Sequence, residues 1–484
     1  LEKIIKDLAQ EALDAALDAG VTYADVRFLR MKHQNIRAED QRVSGINDSE
    51  DLGFGVRAIA QGAWGFAGSG VVTKDEVKKV ARQAVAIAKA SATAMKKPVS
   101  LVPEPKRVAS FKTPYKIDPF TVGIDQKVGL LLEINRELLK NTGVKKAEGF
   151  MIFKKDERLF ASSEGSLLES EVVTSAVGYQ ATAVGEGDAK VRTYYPPPMT
   201  KGWEHINSQD LLTNATRVAD QAVQHLHARE CEEGKKDLIL DPQNLALTIH
   251  ESVGHATELD RVLGYEESLA GRSFATPDLL NNLEYGSHEV SFVADNTLAH
   301  GLATHGFDDD GVEGQMWFIV NEGLFKGYST SREVAGEIGW KRSTGGCRAD
   351  HWGSIPIVRI PNLSLAPGKK PMSLDDLIHD VKDGIFIEGR GSFSIDQMRC
   401  NFQFGGNAFW EVKDGKITQM LKNVTYQSMT TEFWNSCDAV ADERFWVQDG
   451  IMNCGKGDPV QISQMTHGAA PARFRNITVR RGRA

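Results

Sequence analysis

The chain has 484 residues, enough for two large domains whose cores need no disulfide or metal staples. An apolar share of 41% and a charged share of 25% fit a globular protein, and no apolar run approaches the ~18 residues of a membrane-spanning helix. With 57 Lys and Arg against 65 Asp and Glu, the net charge of −8 argues against wrapping nucleic acid.

The one basic cluster, Arg473, Arg475, Arg480, Arg481 and Arg483, reads as a solvated last strand and terminus. Five cysteines, odd in number and without CxxC spacing, do not make a secreted disulfide framework. A reducing, cytoplasmic location is the simplest expectation, with a trimmed signal segment before Leu1 left open.

In chain order, residues 3–19 place Ile4, Ile5, Leu8, Ala12, Leu13 and Ala16 on one helical stripe, stopped by Gly20. Ala24, Val26 and Phe28 alternate with charged residues as a half-buried strand, and Gly53 to Gly70 is a glycine-punctuated β region. Thr73 to Glu76 forms a capping box before a helix carrying Val77, Val80, Ala81, Ala84 and Ile87. Segment 95–120, with five prolines, reads as a long ordered loop. Amphipathic helices follow at 122–141 and 208–230, around a strand-rich 145–195.

Beyond about residue 232, aromatic and β-branched residues alternate between turn signals such as Asp414-Gly415. Helices are expected there only near 242–256 and 374–382. The expectation is an α+β protein: an α/β N-terminal domain, residues 1–233, then a mostly antiparallel β domain, residues 234–484.

The stretch from Asp241 to His255 carries the chemistry. Asp241 is a natural N-cap and Pro242 suits the first helical position. The apolar run behind them delivers His250, Glu251 and His255, a grouping that points to a zinc hydrolase. The zincin pattern is His-Glu-x-x-His, with ligands four apart. Here they are five apart, about 140° around a regular helix and too divergent to share an ion. Gly254 is where a π-bulge or a helix end would let the turn widen. The bland alternative is a chance grouping of two histidines and a glutamate.

A third ligand is expected at a catalytic zinc. Glu258, three residues past His255, is one candidate, with Asp260 nearby. Cys454, in the glycine-rich Asn453-Cys454-Gly455-Lys456-Gly457, is another, and Cys347 in Gly345-Gly346-Cys347 is its rival. Cys400 reads as core, and spacing alone leaves the three candidates open. Asp308-Asp309-Asp310-Gly311 lacks calcium-loop spacing and reads as a capped turn. Gly53-Phe54-Gly55 lacks the context of a phosphate loop.

The chain resembles the TldD/PmbA metallopeptidases, also called modulators of DNA gyrase, almost end to end. The resemblance rests on Tyr23-Ala24-Asp25-Val26, Gly53-Phe54-Gly55-Val56-Arg57-Ala58, Gly65-Phe66-Ala67 and His250-Glu251-x-x-x-His255-x-x-Glu258-x-Asp260. It rests equally on Asp309-Asp310-Gly311-x-x-Gly314-Gln315, Ile387-Glu388-Gly389, Cys454-Gly455-Lys456-Gly457 and Arg473-x-x-Asn476-Ile477. The intact motif matches the TldD-type, catalytic subunit.

That resemblance implies that His250, His255 and Cys454 bind zinc and that Glu251 is the general base. It places Glu258 and Asp260 behind the ligands or near the substrate. It further implies short unfolded peptides as substrates, and homodimers or pairs with a PmbA/TldE-type subunit. A thiolate ligand would also admit iron(II). Residues 345–352 depart from the family pattern, which implies an altered substrate preference. The competing readings are a regulatory binding protein of the gyrase-modulator type and a hydrolase of non-peptide amides.

Overall fold

Two large sheets, both mostly antiparallel, form the molecule, which is known here as a computed structural model describing residues 2–185 and 187–482. The α+β class expected from the sequence holds. Among the described residues the first sheet has seven strands, four of them long: β1 (Tyr23–Glu39), β2 (Arg42–Ala60), β5 (Val144–Ser162) and β6 (Leu167–Gly185). They run in the order β3-β2-β1-β5-β6-β4, where β3 is Ala63–Ser69 and β4 is Val108–Lys112, and β7 (Asp188–Tyr194) pairs with β6. Helices and strands do alternate along this part of the chain, but among the described residues only β4 pairs in parallel on this sheet. The proline-rich stretch is therefore not all loop, because β4 sits within it.

Helices α1 (Glu2–Asp18) and α2 (Lys74–Ser91) cover one region of the sheet with Leu8, Ala12, Leu13, Val77, Val80 and Ala84. The predicted stripes are offset at their ends, since Ile4 and Ile87 face solvent. Half of the predicted capping box forms. Thr73 accepts from the Glu76 N–H, while the Glu76 carboxylate turns to Ser69 and Lys79. Helices α3 (Ile124–Leu138) and α5 (Leu211–Leu226) bury Leu131, Ile134, Val218 and Ala222 over Met151, Phe153 and Tyr179. The short α4 (Trp203–Asn207) precedes α5.

The second sheet has ten strands centred on β9 (Gly234–Leu240), whose Leu238, Ile239 and Leu240 are fully buried. β9 pairs in parallel with strand Asp383–Glu388 and antiparallel with strand Ala472–Arg481. Strand β8 (Arg229–Glu230) joins its far edge. β9 leads directly into helix α6 (Pro242–Ile249), and a separate hairpin, Val447–Lys456 with Gln461–Ala469, packs against that helix. Of the terminal arginines, Arg480 and Arg481 are exposed as expected, while Arg473 and Arg475 are less solvated. Arg473 is buried against Asp438 and the Leu377 carbonyl, and Arg475 pairs with Asp237, Asp380 and Asp438. Arg483 lies outside the described residues.

Ion pairs and a stacked ring join the first sheet to loops of the second half of the chain. Asp308-Asp309-Asp310 is buried, and Asp309 is paired with both Arg27 and Arg158 of the first sheet. Arg57 bridges Asp25 to Asp310. The capped turn read from sequence is there, with Asp308 accepting from the Asp310 and Val312 N–H groups. Beside it, Trp352 lies so close to Gly53 that a Cβ would come within 2.3 Å of its ring. The glycine strand is thus a docking floor for Trp352 and the segment around it.

Burial works to raise the Asp309 carboxyl, but Arg158 and Arg27 outweigh it and hold it below the usual range. Its stabilising contribution is therefore complete above about pH 4 and lost as pH falls through the depressed native value. Replacing Asp309 by Asn leaves two arginines uncompensated. It should cost about 3–5 kcal/mol in urea unfolding at pH 7, with a flatter loss of stability below about pH 4 than in the wild type.

Candidate metal centre

Helix α6 begins as the sequence predicts: Asp241 accepts from the Asn244 N–H at 2.7 Å, and Pro242 opens the first turn. Regular α-helix ends at Ile249. Residues His250–Gly254 form a π turn, with the His255 N–H bonded to the His250 carbonyl five residues back. Residues five apart in sequence thereby become neighbours across one widened turn. The imidazoles of His250 and His255 stand 4.8 Å apart, nearly perpendicular at 81°.

The widened turn is held from outside. Tyr285 donates to the Ser252 carbonyl at 2.5 Å, and Trp434 donates to the Ser252 hydroxyl at 3.0 Å. Gly254 is pressed on Ile360, where a Cβ would lie 2.9 Å from the nearest side-chain carbon. Its backbone is right-handed helical, so the glycine serves close approach rather than an unusual φ.

Hydrogen bonding orients both rings. His467 Nδ1 lies 2.8 Å from the Leu363 carbonyl, which can only accept, so Nδ1 carries the proton. Burial holds His467 down at about 4, so its ring is neutral and Nε2 is an acceptor. That acceptor lies 2.8 Å from His250 Nδ1, which must donate to it. His255 Nδ1 donates to Glu258 at 2.8 Å. Each ring is left with Nε2 unprotonated, and that of His255 faces the Cys454 sulfur. Burial, with surrounding positive groups, keeps both imidazoles well below their ordinary value and therefore neutral.

Cys454 arrives from the hairpin, and its Sγ is 3.5 Å from His255 Nε2. The donor atoms of His250, His255 and Cys454 all lie within 4.8 Å of one another, and all three residues are buried. Tetrahedral ligands about 2.1 and 2.3 Å from one zinc would stand roughly 3.6 Å apart, so the donor set fits such an ion. Burial pushes the Cys454 thiol up to about 11, against the pull of Arg359, whose guanidinium also donates to the Cys454 carbonyl at 2.5 Å.

The rival third ligands are occupied elsewhere. Glu258 is fully buried, accepts from His255 and faces Lys456 at 3.4 Å; Lys456 also binds Asp260 at 2.7 Å. Cys347 sits in a short strand paired with Val358, its N–H bonded to Asp308 at the seam between the sheets. Cys400 is half-buried at the end of a turn rather than core. Glu251 is buried beside the donors and ion-paired with Arg399; burial raises its carboxyl and Arg399 opposes the rise. His467 and Arg399 are among the site residues that sequence reasoning missed, as is Arg359. Neither His467 nor Arg399 has a local companion in the chain, and the only signal for His467 is a histidine on a buried strand.

Three family models match the chain. The PmbA/TldA metallopeptidase domain 1 covers residues 24–88, the central domain 117–229 and the C-terminal domain 233–481. A metalloprotease of Methanocaldococcus jannaschii is 29% identical over 455 residues, 92% of this chain and 94% of its own. A zinc metalloprotease TldD homolog of Saccharolobus solfataricus is 23% identical, covering 93% of this chain and 95% of its own. Among solved structures, a candidate modulator of a DNA gyrase from Thermotoga maritima superposes with a TM-score of 0.80 at 15% identity, over 98% of this chain and 100% of its own. TldE from Thermococcus kodakarensis superposes at 0.73 and 17% identity, over 98% and 99%.

The packing of Gly254 is directly testable. Gly254→Ala should cost about 1–3 kcal/mol by overpacking against Ile360, measured by thermal or urea unfolding. Adding Ile360→Val should restore part of that loss, since the two sites share one contact.

Proposed function

The chain belongs to the PmbA/TldD metallopeptidase family, and on that premise we propose that it is a zinc-dependent peptidase of the TldD type. Its proposed substrates are short unfolded peptides. The observation that carries this reading is the convergence of two oriented Nε2 lone pairs and the Cys454 sulfur beside the Glu251 carboxylate. His250, His255 and Cys454 would hold the ion, and three protein donors leave a fourth position for reactants. Zinc, when bound, supplies Lewis acidity; a thiolate donor set also admits iron(II).

The chain's own groups do the rest. Glu251 takes a proton from the attacking water and delivers it to the leaving amine. His467 and the Leu363 carbonyl hold His250 in the tautomer that presents Nε2, and Glu258, backed by Lys456, does the same for His255. The proposed organisation is an N-terminal domain of residues 1–233 and a metallopeptidase domain of 234–484. The working assembly is a homodimer or a pair with a PmbA/TldE-type subunit, and the location is cytoplasmic.

The test is metal analysis of the purified protein beside a peptide digest read by mass spectrometry. Glu251→Gln should retain zinc and lose turnover by at least about 100-fold, the scale of general acid–base catalysis. Undiminished turnover in that variant would remove Glu251 from the mechanism, and zinc without any cleavage would favour the regulatory reading.

Zinc binding should also release a proton, because a thiol raised to about 11 is protonated at neutral pH and must ionise to become a ligand. Calorimetry of zinc binding near pH 7.5 in buffers of differing ionisation enthalpy should show this release. Cys454→Ser should abolish it and weaken binding, whereas Cys347→Ser should leave both unchanged.

A further inference from the structure

Arg399 stands out as the cation that touches the reacting groups without being a ligand. Its guanidinium is paired through Nη1 with Glu251, its Nε–H is buried without a partner, and its charge reaches both His250 and His255. The residue sits at φ +63°, a left-handed conformation that costs a non-glycine side chain about 1–2 kcal/mol.

The surroundings enforce that conformation. Asp396 accepts from the Cys400 and Asn401 N–H groups, and Thr430 donates to the Arg399 carbonyl at 2.7 Å. Arg261, itself buried, donates to the Gln397 carbonyl at 2.9 Å, and the Phe274 N–H holds the Met398 carbonyl at 3.0 Å. The turn closes the hairpin between strands Phe393–Ile395 and Asn401–Phe404, where a left-handed residue is at home, and the same pins fix where the Arg399 guanidinium stands.

We propose that Arg399 is a further catalytic residue, donating a hydrogen bond to the peptide carbonyl oxygen as negative charge gathers there. The inference rests on the metallopeptidase reading above. When water adds to the carbonyl carbon, the water's proton goes to Glu251 and the carbonyl π pair moves onto oxygen. A thiolate in the donor set leaves a bound ion less electrophilic, so a second positive group at that oxygen has more to contribute. One N–H of Arg399 fixes the base, and the unspent Nε–H is available to the oxyanion. Donors fixed in advance of the charge they meet stabilise it most.

The experiment uses the zinc-loaded full chain and Arg399→Gly, in which relief of the left-handed residue offsets part of the cost of leaving Glu251 unpaired, so the melting temperature should fall while the chain still folds cooperatively. Zinc content should be unchanged. Turnover should drop by at least about 100-fold with KM nearly constant, and millimolar guanidinium should restore part of it. A phosphinic peptide, which carries a tetrahedral anionic centre, should lose affinity by a comparable factor in calorimetry.

The same measurement in Glu251→Gln separates direct action from positioning. Arg399→Gly should weaken the phosphinic peptide in that background too. No further loss there would mean that Arg399 works only through Glu251, and the inference falls. Unaltered phosphinic affinity in the single variant, or a defect confined to KM, would overturn it as well. A wild-type protein that holds no zinc and cleaves no peptide overturns the peptidase reading itself, whatever Arg399 does.

Discussion

One backbone hydrogen bond, from the His255 N–H to the His250 carbonyl, decides how the rest of the centre is built. On a regular helix the two imidazoles would diverge by about 140°. The five-residue turn brings them to facing positions instead. The turn is held by Tyr285, which donates to the Ser252 carbonyl, by Trp434 on the Ser252 hydroxyl, and by Ile360 packed on Gly254. The helix is started firmly by Asp241, whose carboxyl burial raises to about 7 even as the Asn244 and Gly389 N–H groups bind it. A strong start and a clamped widened end leave the apolar middle, Leu245 to Ile249, to anchor the segment in the core.

The second half of the centre comes from a hairpin more than 190 residues further along the chain. One strand brings Cys454 and the other His467, so the hairpin supplies both a donor and the group that orients another donor. Buried charge is balanced locally. Lys456 faces Glu258 and Asp260, Arg399 faces Glu251, and Arg359 lies behind Cys454. Breaking one member of such a set leaves its partner buried and uncompensated, which is far costlier than losing a surface pair.

Much of this was legible in the sequence, and the limits have physical causes. The Asp241 cap, the apolar run and the one-residue excess between the histidines could be read directly, because each depends on neighbours a few positions away. The choice of Cys454 came from family resemblance, since no local rule links a loop cysteine to a helix so far behind it. His467 and Arg399 went unseen for the same reason. Gln397-Met398-Arg399 contains none of the glycine or asparagine that usually marks a left-handed residue. The Asp309 ion pairs and the parallel strand β4 also depend on long-range contacts, so a capped turn and a proline-rich loop were all that local pattern could offer.

The widened turn and the hairpin are proposed to make together a two-nitrogen, one-sulfur site. X-ray absorption at the zinc edge of the zinc-loaded protein tests it most directly. The account predicts one sulfur scatterer near 2.3 Å and imidazole nitrogens near 2.0–2.1 Å, with the sulfur shell lost in Cys454→Ser. A shell of nitrogen and oxygen alone in the wild-type protein would contradict it.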